Sequence, residues 1–228
     1  MPFNREVFTT RSITTFFFVV VMLTALLLSD VSFWLLVLVL HAGCWVEYEK
    51  IVASFRYSFL FILFGLVYLT ASWFFFLELH QRPLLLIAET GVPAPSWKQF
   101  PFFILLCMWI NDTMAYIVGS LIGKTPLSPI SPKKTWEGTI GGALLAVVAV
   151  VLLGKMLTGL SYQTLVIVST TAAITGTIGD LIESKFKRMA GVKDSGNILP
   201  GHGGFFDRFD SLLLAGPSVW LMLTLFTQ

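Results

Sequence analysis

Between Asp180 and Asp210 the chain gathers five of its thirteen acids, five of its fifteen bases and one of its three histidines. On both sides the sequence is apolar enough to lie in a membrane, where such a density of charge is costly unless it has a task. Lys185, Lys187, Arg188, Lys193 and Arg208 are suited to hold phosphates. Asp180, Asp207 and Asp210 are suited to hold a hard cation; Asp207 and Asp210, three apart, share a helix face. Gly201, Gly203 and Gly204 let a backbone approach a ligand closely. These ingredients point to phosphoryl or nucleotidyl chemistry at a membrane surface. Magnesium is the cation such a site takes, with one or two carboxylates, water and substrate phosphates around it.

A second polar stretch, GKTPLSPISPKKTWEG from Gly123, precedes it. Pro126, Pro129 and Pro132 prevent a continuous helix. Lys133 and Lys134 are followed by Thr135 and Glu137, and Ser131 is placed to cap the next helix. Paired lysines at a helix start, where free N–H groups point outward, make a phosphate cradle. Asp112 lies inside the apolar segment that leads into this stretch, with Asn111 and Thr113 beside it. A carboxylate at that depth faces protein, water or a cation. Further on, Asp180, Glu183 and Lys187 fall on one helix face at spacings of three and four.

The elements that position these groups are apolar helices. Of 228 residues, 56% are hydrophobic and 12% are charged, against about 25% charged in a soluble domain. The mean hydropathy is +0.82. Seven apolar segments run at 13–29, 31–46, 57–78, 100–119, 139–157, 162–181 and 209–227. The expected fold is therefore all-α, a polytopic membrane bundle of about seven spans. The first two segments are short for a span of about 20 residues and suit a tight hairpin or half-inserted helices. Pro83 to Ile87 adds a brief apolar patch, re-entrant or interfacial in character. Arg5 and Arg11 before the first run resemble a signal peptide, but the run is too long and lacks a small-residue cleavage site. Residues 1–99 form an N-terminal helical part, and residues 100–228 carry the candidate chemistry.

With the N-terminus in the cytoplasm and the spans alternating, twelve bases face inward. They are Arg5, Arg11, Lys50, Arg56, Lys124, Lys133, Lys134, Lys185, Lys187, Arg188, Lys193 and Arg208; only Arg82, Lys98 and Lys155 face outward. Loops 120–137 and 182–208 then share the cytoplasmic face, which suggests one site. Gly119/Gly123 and Gly138/Gly142 have the spacing of closely packed helices. Cys44 and Cys107 lie in apolar runs and read as buried small hydrophobes. The net charge of +2 is too small to suggest nucleic acid as the main partner. No GxxxxGK[ST] loop and no GxSxG elbow occur. A transporter or channel using Asp112 and Asp180 is a rival, but an ion path has no need of a basic, glycine-rich loop.

The whole of the segment from Ser184 to Asp210 resembles the signature of the integral-membrane phosphatidate cytidylyltransferases, or CDP-diglyceride synthetases. Ser184, Lys187, Arg188, Lys193, Asp194, Gly196, Leu199, Pro200, His202, Gly203, Gly204, Asp207, Arg208 and Asp210 fill its positions. The stretches SPKKTWEG and NDTMAYIVG are also similar to that family. The resemblance implies CTP and membrane phosphatidate as substrates, with CDP-diacylglycerol and pyrophosphate as products and Mg²⁺, with room for a second cation, as cofactor. It implies Asp180, Asp207 and Asp210 as cation ligands, Asp180 and Asp207 being the firmest. Lys187, Arg188, Lys193, Lys133 and Lys134 would grip phosphates, and His202 would donate to phosphate or organise the loop. Asp194 would orient Lys193 or Arg188. Asp112, Ser131, Thr135, Glu137, Ser184, Gly203, Gly204 and Arg208 would complete the substrate site. A bacterial inner membrane, with the active site facing the cytoplasm, is the implied location; a homodimer stays open. Polyprenol kinases and CDP-archaeol synthases are the neighbouring alternatives, and the complete signature argues against them.

Overall fold

A computed structural model describes residues 5–81, 99–198 and 203–226. The patch from Pro83 to Ile87 and His202 lie outside the described residues. The described chain forms seven helices: α1 (Arg5–Leu28), α2 (Asp30–Val52), α3 (Ser58–Gln81), α4 (Gln99–Ile122), α5 (Trp136–Leu157), α6 (Tyr162–Met189) and α7 (Phe206–Phe226). Two short strands, β1 (Pro126–Ser128) and β2 (Ser131–Thr135), pair antiparallel between α4 and α5. Each apolar segment of the sequence corresponds to one helix among the described residues. Six of the helices are long and apolar enough to cross a membrane, so the all-α polytopic reading holds and the chain is an integral membrane protein.

Two compact units can be distinguished, one comprising residues up to 70 with 185–209, the other 71–184 with 210 onward. In the first unit, α1 and α2 meet at one residue, Ser29. Its extended backbone and its reciprocal bonds with Ser32 (Ser32 N–H to Ser29 Oγ at 3.1 Å, Ser29 N–H to Ser32 Oγ at 3.0 Å) form a capping box. The first two segments thus form a tight helix pair, as one of the two expectations had it, but α2 is a full 23 residues. That helix is long and apolar enough to cross a membrane. The core of this unit is aromatic. Tyr48 is fully buried, donates to the Phe61 carbonyl at 2.7 Å and packs edge-on to Phe186 and Phe206.

In the second unit, α4 and α5 pack closely because glycines face each other's backbones. A Cβ on Gly138 would come within 2.6 Å of the Ala115 carbonyl oxygen, and one on Gly142 within 2.7 Å of the Ala115 nitrogen. Pro217 lies inside α7 and cannot donate to the carbonyl of Leu213. The hydroxyl of Ser72 donates to that carbonyl instead, which is how an apolar environment tolerates a helix-breaking proline.

The sixth helix differs from expectation. It was expected to end near residue 181, but it continues to Met189, so the polar loop begins at 190 rather than 182. Residues 182–189 contain no glycine or proline, and Lys187 and Arg188 in the last turn favour the negative end of the helix dipole. Gly191 at φ +70° then closes it: Val192 N–H reaches the Lys187 carbonyl at 3.0 Å, and Gly191 N–H reaches that of Arg188 at 3.1 Å.

Candidate functional site

The hairpin between α4 and α5 is folded by its own polar residues. Ile130 N–H donates to Ser128 Oγ at 3.2 Å in the turn. Glu137, in the first turn of α5, accepts from the Lys124 and Thr125 amides at 3.2 Å and from the Thr125 hydroxyl at 2.8 Å. Thr135 caps α5, its Oγ1 accepting from Gly138 N–H at 3.1 Å. The cap is therefore Thr135, not Ser131 as expected, because the chain stays extended in β2 until Thr135. Glu137 shapes the loop, and Thr135 both caps the helix and lines the cavity described next.

Within the second unit, this hairpin borders a cavity of about 410 Å³, in the range of small-molecule sites. Asp112, Ser131, Lys133, Lys134, Thr135 and Asp180 line it, so six residues singled out in the sequence come together. Asn111, Thr139 and Thr177 join them. Lys134 Nζ forms an ion pair with Asp180 Oδ2. The other oxygen of Asp180 accepts from the Ser184 hydroxyl at 3.3 Å, which gives Ser184 a place beside an acid rather than a direct view of the cavity. Asp180 also belongs to a trio. One carboxylate oxygen from each of Asp180, Glu183 and Asp210 lies within 4.8 Å of the others, and Glu183 and Asp210 are buried. An all-oxygen set of this charge suits a hard divalent cation. Glu183 was visible in the sequence on the same face as Asp180 but was not singled out as a ligand; the three-residue spacing was the available signal.

The first unit holds the other group. Asp207 Oδ1 is 2.6 Å from Lys187 Nζ, with the two side chains only 6% and 12% exposed. Its Oδ2 accepts from the amides of Ser195 at 2.9 Å and Gly204 at 2.8 Å. Gly203, at φ +81°, makes room: a Cβ there would approach within 2.5 Å of Asp207 Oδ2. Asp207 thus fastens both ends of the glycine-rich loop and holds one base. Arg188 donates to the Val192 carbonyl at 3.2 Å at the end of α6, and Lys193, Asp194 and Arg208 are exposed.

Lysines that only anchor one side of the membrane would tolerate alanine once the protein is inserted; lysines that hold phosphates would not. Lys133→Ala and Lys134→Ala should each lose a charge-assisted hydrogen bond of about 1.5–3 kcal/mol, or roughly 10- to 150-fold in turnover. Turnover per correctly inserted protein checks this, and full activity in both variants would leave anchoring as their role.

Comparison with known proteins adds to this geometry. Residues 97–226 match the model of the family described as the cytidylyltransferase family. The chain is 38% identical over 191 residues to a protein named phosphatidate cytidylyltransferase from Staphylococcus haemolyticus (strain JCSC1435), covering 80% of this chain and 72% of that one. It is 36% identical over 206 residues to the protein of the same name from Staphylococcus aureus (strain COL), covering 86% and 78%.

Proposed function

The chain belongs to the cytidylyltransferase family, and from that premise we infer that it is a phosphatidate cytidylyltransferase, transferring CMP from CTP to phosphatidate. The products are CDP-diacylglycerol and pyrophosphate. The observation that carries the reading is the cavity where Asp180, one of three clustered acids, meets Lys133 and Lys134. Relatives bearing that name match most of the chain.

The chemistry asks little of a general base. An oxygen of the phosphatidate phosphate, anionic near neutral pH, attacks the α-phosphorus of CTP. A bond forms between them, and the bond from the α-phosphorus to the oxygen bridging to the β-phosphate breaks, the electron pair leaving with pyrophosphate. The difficulty is to bring anions together and to stabilise the charge of the transition state. Lys133 and Lys134 offset that charge from the hairpin, and Asp180 holds Lys134 toward the cavity. Arg188, in the last turn of α6, and Lys193, on the exposed stretch after it, offer further charges suited to phosphate. Asp180, Glu183 and Asp210 would hold Mg²⁺, which when bound neutralises phosphoryl oxygens and the leaving pyrophosphate. Ser184 steadies Asp180 for that task.

The fate of label tests the reaction. CTP labelled at the α-phosphate should label the lipid, and CTP labelled at the γ-phosphate should not. Transfer of the γ-label would instead identify a lipid kinase.

The excess of bases on one set of loops supports a cytoplasmic site, in a bacterial inner membrane. Single cysteines introduced into 124–134 or 190–198 should react with an impermeant thiol reagent only after the inner face is opened. The native Cys44 and Cys107 are buried and give little background. Labelling from outside intact cells would overturn this orientation.

A further inference from the structure

Glu47 lies on α2 and is 2% exposed. A carboxylate so buried in an apolar helix is costly, and here one oxygen, Oε2, takes all of its hydrogen bonds while Oε1 is buried without one. Its Oε2 accepts from the Ser195 hydroxyl at 2.7 Å and from the Phe206 amide at 2.9 Å. Those two donors flank the glycine-rich loop, one on its entry side and one in the first turn of α7. Asp207 takes the amides of Ser195 and Gly204 from within the loop itself, so Ser195 is held at its amide by one acid and at its hydroxyl by the other. The fit is close: a Cβ on either Gly196 or Gly204 would collide with the Glu47 carboxylate. Phe205 packs against α2 at Gly43 in the same way.

We infer that Glu47 is a positioning residue for the reaction, a buried acceptor through which α2 fixes the glycine-rich loop and with it Lys193, two residues before Ser195. It lies outside residues 97–226, the part that matches the family. Helix α2 therefore contributes more than membrane anchorage: it supplies the surface on which the loop is set. Lys193 is exposed, and an exposed lysine presents its charge at a fixed place only if the backbone beneath it is fixed. The inference rests on the cytidylyltransferase reading for its kinetic consequence, and on the hydrogen bonds alone for its structural one.

Both consequences are measured on the full-length protein in detergent–lipid micelles. Glu47→Ala should raise KM for CTP, the more highly charged substrate, at least tenfold, and should speed hydrogen–deuterium exchange in peptides covering Ser195 and Phe206. Glu47→Gln keeps an acceptor oxygen and should recover part of both. Ser195→Ala removes only the hydroxyl, so it should shift KM in the same direction by less and add little to Glu47→Ala; it serves also where Glu47→Ala does not fold. A purely structural acid would lower the amount of active enzyme and leave KM unchanged. Wild-type KM and exchange in folded Glu47→Ala and Ser195→Ala would overturn the inference, as would a defect in Glu47→Ala that glutamine does not reduce. If the wild-type protein transfers no CMP, the functional reading fails, and the exchange data still decide whether Glu47 holds the loop.

Discussion

Asp180→Asn is expected to leave a folded, inserted protein that forms almost no CDP-diacylglycerol. Asparagine keeps the size and one acceptor oxygen, so Ser184 still has a partner and the helix is undisturbed. The negative charge is lost, and with it both the ion pair to Lys134 and one member of the trio with Glu183 and Asp210. The pair is about a quarter exposed, its side chains at 25% and 29%, so its loss costs little stability. The activity cost is far larger, because charge fixed where a transition state develops is worth roughly 100- to 1,000-fold per group. Assay of CDP-diacylglycerol at matched protein levels reads the effect. Asp194→Asn, on the exposed part of the loop, should lose much less. Wild-type turnover in Asp180→Asn would remove Asp180 from the chemistry.

Asp207→Asn is expected to cost activity and stability together. Three donors converge on Asp207: the Lys187 ammonium on one oxygen, two backbone amides on the other. An asparagine can satisfy either set but turns its NH₂ toward the remaining one. If it keeps the amides, the Lys187 charge is left nearly buried and without its counter-charge. Breaking such a pair costs on the order of 3–5 kcal/mol. Loss of turnover should therefore come with faster hydrogen exchange around Ser195 and Gly204 and a lower unfolding temperature, which Asp180→Asn should not show. A variant that is inactive yet as stable as wild type, with an unchanged loop, would mean that Asp207 acts on substrate or cation and not through the loop.

The helices were legible because a membrane span is a matter of length and apolarity, and six of the seven carry that signal in full, the first, with Ile13–Leu28, only in a shorter run. Their ends were less so. Hydropathy falls after residue 181, but the backbone of α6 does not break until Gly191 allows a left-handed turn. Three prolines told against a helix between α4 and α5 without announcing the β1–β2 hairpin, at whose base Glu137 binds Lys124 and Thr125. The grouping of Lys133, Lys134, Asp112 and Asp180 around one cavity was legible as acids and bases set close to the ends of apolar segments. Glu183 was legible as a neighbour of Asp180 on one helix face, while its proximity to Asp210 depends on how α6 and α7 pack. Glu47 gave no local sign at all: its partner Ser195 is 148 positions away, and no periodicity reports a contact of that range.

The central claim is that CMP transfer depends on a divalent cation held by Asp180, Glu183 and Asp210. The most direct measurement is a crystal structure of the protein soaked with Mn²⁺, which scatters anomalously and takes the place of Mg²⁺. The account predicts a strong anomalous peak about 2.0–2.3 Å from carboxylate oxygens of that trio. Mn²⁺ bound elsewhere, with the three carboxylates bare, would contradict it.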